Sequence, residues 1–369
     1  MRSIEQTFNP KLNGLNALRL VLACGVLLRH SFTMLGVTVG WKPLDNLLLS
    51  GFVDGFFAIS GFLIVGSWMK KPEWRRFLRA RCLRILPAFW VCLIVIAFVA
   101  APVDALLTGH SMTTTFWVDA AGYVWHNALL WIFQAGIDGT PTGAAAQEVG
   151  FWNGSLWTLF WEFVCYLGVL GLGITGLLRR RSVIVGAFVA AVVVLALTDT
   201  SLLDSYLVHH AARFATMFLA GAVVYTLRER IPASGWLLLP CAAIVLFAGS
   251  LPDYRVVAAL PLAYLCVVGG ALIKVPQLRL TNDLSYGTYI YGYPVQQLLV
   301  AVGLRSVGVG WYFVLSVLAT LPVAAASWFL VERRAQRLTW QWPVRSRALR
   351  AGRASSPVSV VVPMVRDAA

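Results

Sequence analysis

The sequence predicts an all-α membrane protein of about ten transmembrane helices with both termini cytoplasmic, and three observations carry that reading. Of 369 residues, 59% are hydrophobic and only 12% charged, with a mean hydropathy of +0.74; a soluble domain carries roughly 25% charged residues, because its surface faces water. Apolar stretches near the ~20 residues that cross a bilayer recur along the whole chain. The basic residues then fall almost entirely on one side of those stretches.

The expected spans are 15–36, 46–69, 85–107, 155–178, 182–199, 209–227, 234–250, 256–274, 284–304 and 310–332. With the N-terminus inside, Arg2, Lys11, the loop KKPEWRRFLRARCLR, Arg179 to Arg181, Arg228, Arg230, Lys274, Arg279 and every arginine after Glu332 are inside as well. Lys42, Arg255 and Arg305 alone fall outside, while Arg19, Arg29 and Arg213 lie within spans. The opening MRSIEQTFNPKLNG lacks the basic start and cleavage site of a secretory signal, so the first apolar stretch is expected to be a retained helix. Residues 108–154 form a long outer loop whose piece AAGYVWHNALLWIFQ is too short and polar to cross; it is expected to be an interfacial or re-entrant helix. Residues 1–332 thus make one transmembrane domain. The tail 333–369, with eight arginines, is expected to be disordered or to lie on lipid headgroups.

The net charge of +14 is accounted for by topology and anionic lipid, so it is no sign of nucleic-acid binding. Cys24, Cys82, Cys92, Cys165, Cys241 and Cys266 are scattered without a CxxC pair, so neither a disulfide framework nor a zinc site is expected.

A charge at bilayer depth costs several kcal/mol unless it is paired or faces water, so ionisable residues within spans are the best clues to a site. Arg19 and His30 both lie on the first helix. Their spacing brings them within about 20° of one face, roughly 16 Å apart. One helix then offers a cation near the inner side and an imidazole near the outer side of a single cavity, although Arg19 and Arg29 snorkelling to headgroups would explain the pattern equally well. Asp54, in VDGFFAISGFLI, lies at a depth that would let it orient His30, with an ion pair to Arg29 as the plainer alternative. Ser60-Gly61 reads as a close-packing spot. Glu162, in SLWTLFWEFVCYL, has no basic neighbour within a turn and must find a partner on another helix or be protonated; Ser155 is the expected N-cap of that helix. Arg79, Arg81 and Arg84, in FLRARCLRILP, suit a polyanion such as a nucleotide phosphate, or simply anionic lipid. His110, His126, His209 and His210 are given no role.

Taken together these segments resemble the acyltransferase 3 family of integral membrane acyltransferases, over a stretch from Asn16 to about Glu332. Arg19 with His30 looks like the family's first-helix Arg/His motif, VDGFFAISGFLI its second-helix signature, FLRARCLRILPAFW the Arg-rich segment, and SLWTLFWEFVCYL the Trp-Thr-x3-Glu segment. SYGTYIYGYPVQQ is similar to the late Ser-Tyr-x2-Tyr motif ending in Pro. Many relatives carry His two positions before that Pro; Gly292 stands here, which excludes a second catalytic histidine at this place. Glu332 is followed by Arg333 and Arg334 where relatives often have Lys-Pro. The resemblance implies a multi-pass protein of the bacterial inner membrane, an acyl-CoA donor, usually acetyl-CoA, and a hydroxyl acceptor on an envelope or exported glycan, free or lipid-linked. It further implies His30 as the catalytic group, Arg19 as its partner in handling the donor, and Glu162 as a further site residue. No metal is implied. His30 acting as general base and His30 carrying the acyl group both fit. The competing class is a transporter or flippase of a lipid-linked sugar with His30, Asp54 and Glu162 as a proton relay; no internal repeat of the kind common in transporters is visible.

Overall fold

The computed structural model describes residues 2–338 apart from 11, 143–149, 199, 201, 202 and 204. Among them no strand forms, and helices occupy all ten expected spans. In chain order these are α1 (Leu15–Leu35), α2 (Lys42–Lys70), α3 (Trp74–Thr108), the loop helix α4 (Thr114–Asn127), α5 (Thr158–Ile174), α6 (Arg181–Thr198), α7 (Tyr206–Thr226), α8 (Gly235–Ala248), α9 (Arg255–Leu272), α10 (Ser285–Ala301) and α11 (Val309–Arg337). Seven of them, α1, α2, α3, α6, α7, α9 and α11, are long and apolar enough to cross a membrane. Helices α5 and α8 are apolar but shorter. The tail beyond Leu338, for which disorder was expected, lies outside the described residues.

Several boundaries differ from expectation for local reasons. Pro43 in the first turn of α2 needs no N–H partner and starts that helix before 46, giving 29 residues or about 44 Å, longer than a ~30 Å hydrocarbon core. The Arg-rich segment is no loop. It forms the first turns of α3, because arginines are good helix formers even where their charge disqualifies them from an apolar span. Pro102 would clash with the carbonyl four residues back in a regular helix, and α3 relieves this with a wide π-turn at Ile96–Ala100. The loop helix α4 begins earlier than AAGYVWHNALLWIFQ and stops at Asn127, whose side chain accepts from the backbone of Phe133 and Gln134 and turns the chain.

Two helices anchor the bundle. Across the α2–α7 crossing, a Cβ on Gly61 would lie 1.9 Å from the Phe218 carbonyl oxygen, and one on Gly221 would lie 1.9 Å from that of Ala58. Backbone meets backbone there, so the close-packing role expected of Gly61 is met. Gly61→Ala is expected to cost about 1–3 kcal/mol through overpacking, read as a lower melting temperature in detergent; an unchanged melting temperature would mean the helices stand further apart. Helix α1 packs against α2 on one side and α10 and α11 on the other, and α3 closes the arrangement against α5 and α10. Those contacts gather α1, α3, α5 and α10 around one polar interior.

Candidate active site

Four of the expected residues meet at one end of that interior. Arg19 of α1 and Arg84 of α3 donate to the same carboxylate oxygen of Asp283, just before α10, at 2.7 and 2.6 Å. The other oxygen of Asp283 accepts from the Ser285 N–H at 3.2 Å and hydroxyl at 2.5 Å. Burial alone would raise this carboxyl, but Arg19, Arg84 and Ser285 hold it at about 2, so Asp283 is a carboxylate at physiological pH. Arg84 also reaches Glu332 at 3.4 Å. Glu332 closes a second π-turn, Trp328–Glu332, and accepts from Ser327 at 3.1 Å.

Arg81, one turn before Arg84, has no carboxylate partner among the described residues. Its guanidinium lies 5.8 Å from the ring centres of Phe77 and Tyr166, and its Nε is buried without an acceptor. Tyr166 in turn donates its hydroxyl to Glu162, which also accepts from Ser60 at 3.2 Å. Glu162 therefore finds one partner on another helix, Ser60 of α2, and one on its own, Tyr166, and both are hydroxyls. Arg79 faces away from this group, as residues two apart on a helix must, and bonds the Leu338 carbonyl at 2.9 Å.

Arg19, Glu162, Phe56, Thr158, Tyr286 and Tyr289 line a cavity of ≈30 Å³. That is about the volume of one water, so a substrate must widen it. Hydrogen bonds through both the backbone and the hydroxyl of Ser155 lead from it toward His30. Tyr289 bonds Thr158 at 2.5 Å and donates to the Ser155 carbonyl at 3.0 Å, and the Ser155 hydroxyl lies 3.3 Å from His30 Nε2. The His30 ring meets Tyr293 edge-on, with centres 4.8 Å apart. Ser155 is thus not the expected N-cap: α5 starts at Thr158, and the serine serves the imidazole. Gly292 also acquires a reason. A Cβ there would lie 2.3 Å from the Leu27 side chain of α1, one turn before His30, so a larger residue requires that side chain to give way.

Asp54 is not brought to His30. It is fully buried, accepts from the Tyr254 hydroxyl and from Arg255 Nε at 2.6 Å, and has Arg213 at 3.8 Å; Arg255 in turn binds Asp253 at 3.0 Å. Neither the expected His30 partnership nor the Arg29 alternative forms. Arg255 stood in an outer loop on hydropathy grounds, yet as the first residue of α9 it turns inward. The six residues from Asp54 to Ser60, the Glu162 partner, amount to roughly 9 Å and 240° along α2, which puts the two clusters on different faces.

Sequence reasoning missed Asp283, Tyr166, Tyr289 and Tyr293 as site residues. Tyr166 was discoverable, since a tyrosine four residues after a buried glutamate lies on the same face. All six cysteines are free, and no group of three or more His, Cys, Asp or Glu among the described residues could hold a metal.

A helical membrane bundle enclosing an Arg-carboxylate cluster and an imidazole is a class of architecture, and comparison with known proteins gives it a family. Residues 12–329 match the Acyl_transf_3 model, described as an acyltransferase domain. The chain belongs to the acyltransferase 3 family. It is similar to nodulation protein 10 of Rhizobium leguminosarum bv. viciae, with 26% identity across 88% of this chain and 94% of that protein. It is also similar to the O-acetyl transferase of Shigella phage Sf6, with 25% identity across 88% of this chain and 96% of that one. No solved structure matches it. The protein is accordingly a multi-pass membrane acyltransferase.

Proposed function

We propose that the protein is an O-acetyltransferase that moves acetyl from cytoplasmic acetyl-CoA to a hydroxyl of an envelope or exported glycan, working in a bacterial inner membrane with ten crossings and both termini cytoplasmic. The observation that carries this reading is a cavity lined by Arg19, Glu162 and Tyr289 that lies between two groups: Arg81, whose buried Nε has no acceptor and whose guanidinium packs on Tyr166, the Glu162 partner, and His30, which Tyr289 approaches through Ser155. A phosphate-bearing donor satisfies Arg81. The name O-acetyl transferase carried by the phage relative favours acetyl as the group moved.

In this reading His30 takes the proton of the acceptor hydroxyl as its oxygen bonds to the acyl carbon. The thioester C–S bond breaks, and the coenzyme thiolate leaves and recovers a proton. Arg19 and Glu162 line the path of the acyl arm. Arg81 bears the donor phosphates, Arg84 braces the cluster, and Arg79 at the flank contributes only to the basic entrance. Asp54 belongs to the fold.

Calorimetry with acetyl-CoA tests the donor. Arg81→Ala is expected to lose about 1.5–3 kcal/mol, ten- to a hundredfold in affinity, and to lose it less at high salt. Unchanged affinity would remove Arg81 from the donor site. The acceptor class is tested by the O-acetyl content of envelope and exported glycans, by mass spectrometry, with and without the chain.

A further inference from the structure

We propose that Asp283 is the positioning residue of the cationic end of the site, fixing Arg19 and Arg84 so that Arg81 alone is open to the donor. This rests on the reading that the cavity takes an acyl-CoA. Arg19 and Arg84 come from different helices, and each bonds the same Asp283 oxygen, at 2.7 and 2.6 Å. Two guanidinium groups held that close repel unless an anion lies between them, so the carboxylate is what permits α1 and α3 to bring both there. Asp283 cannot swing away. Its second oxygen is held by the backbone and hydroxyl of Ser285, two residues on, and its side chain is only 11% exposed. Arg84 is committed a second time by the fully buried carboxylate of Glu332.

The three arginines of this end are therefore unequal. Two are neutralised and geometrically set. Arg81, three residues before Arg84 on the same helix face, keeps a buried Nε without an acceptor. A donor phosphate meets one open cation and one direction of approach, and Arg19 remains on the cavity wall. Without the charge of Asp283, Arg19 and Arg84 become competing phosphate ligands. The donor is still held, but in registers that do not present its thioester to His30.

The test is steady-state kinetics of full-length protein in lipid nanodiscs, with acetyl-CoA varied and rates expressed per folded molecule. Asp283→Asn keeps the shape and removes the charge. The expected result is a kcat at least about tenfold lower with a donor KM within about threefold of wild type or below it, the signature of lost transition-state positioning without lost binding. Asp283→Glu, which restores the charge one methylene further out, should recover part of kcat. If Asp283→Asn yields no folded protein, Asp283→Glu is compared with wild type by the same criterion. A wild-type kcat per folded molecule with a lower melting temperature overturns the proposal, and so does a raised donor KM at unchanged kcat. Wild-type protein that turns over no acetyl-CoA would refute the functional reading itself, a different outcome from an active wild type matched by its Asp283 variants.

Discussion

His30→Ala is expected to abolish acyl transfer while leaving membrane insertion, yield and acetyl-CoA affinity intact. General acid-base catalysis by a placed side chain is worth about 10²–10⁴ in rate, and among the described residues no other imidazole or carboxylate hydrogen-bonds within the His30–Ser155–Tyr289 contacts to take over. Affinity is spared because the arginine cluster lies near the other end of α1, roughly 16 Å away along its axis. Product O-acetylation, followed by mass spectrometry on equal amounts of folded protein, is the measurement. Near-wild-type product from the mutant would take His30 out of the mechanism. Ser155→Ala sets the scale for a supporting group: losing one neutral hydrogen bond, about 1 kcal/mol, slows turnover roughly fivefold.

The second large effect is on stability. Asp54→Ala leaves the Arg255 Nε and the Tyr254 hydroxyl buried without their acceptor and takes the nearest carboxylate from Arg213, with Arg255 held by Asp253 alone, at a cost of about 3–5 kcal/mol for a broken buried ion pair. Against a total stability of ~5–15 kcal/mol, that cuts yield and melting temperature sharply. Asp54→Asn/Arg255→Gln, which removes both charges together, should recover most of the loss. Turnover of the surviving folded molecules should match wild type. If Asp54→Asn instead keeps its melting temperature and loses turnover, the carboxylate acts on the reaction and its cluster communicates with His30.

The helices were legible because lipid allows so few alternatives: every apolar stretch had to be a helix, and each one is. Ends were less legible. Hydropathy breaks off at the first charge, while the backbone goes on as helix through Trp74–Arg84. Of the site, Arg19, His30 and Glu162 could be singled out because ionisable groups inside apolar runs are costly. What they touch could not. Asp283 sits in an ordinary polar loop by sequence, and its importance arises only when α1 and α3 deliver arginines to it from 264 and 199 residues away. Asp54 failed for the same reason in reverse, since Arg255 lies 201 residues further on. Depth along a helix is readable from one sequence; the neighbour across the interface is not.

The bond between Arg19 and Asp283 also sets a timetable for biosynthesis. At synthesis rates of ~5–20 residues per second, the 264 residues between them take roughly 13–50 s to emerge from the ribosome. Throughout that interval the first helix carries a guanidinium whose partner does not exist. It must wait near the headgroups, or be sheltered by the insertion machinery, until α10 arrives and draws it inward. A chain stopped before Asp283 has every earlier helix and still no closed cationic end. Truncated nascent chains should therefore remain targets for membrane quality-control proteases until the last two helices are in place.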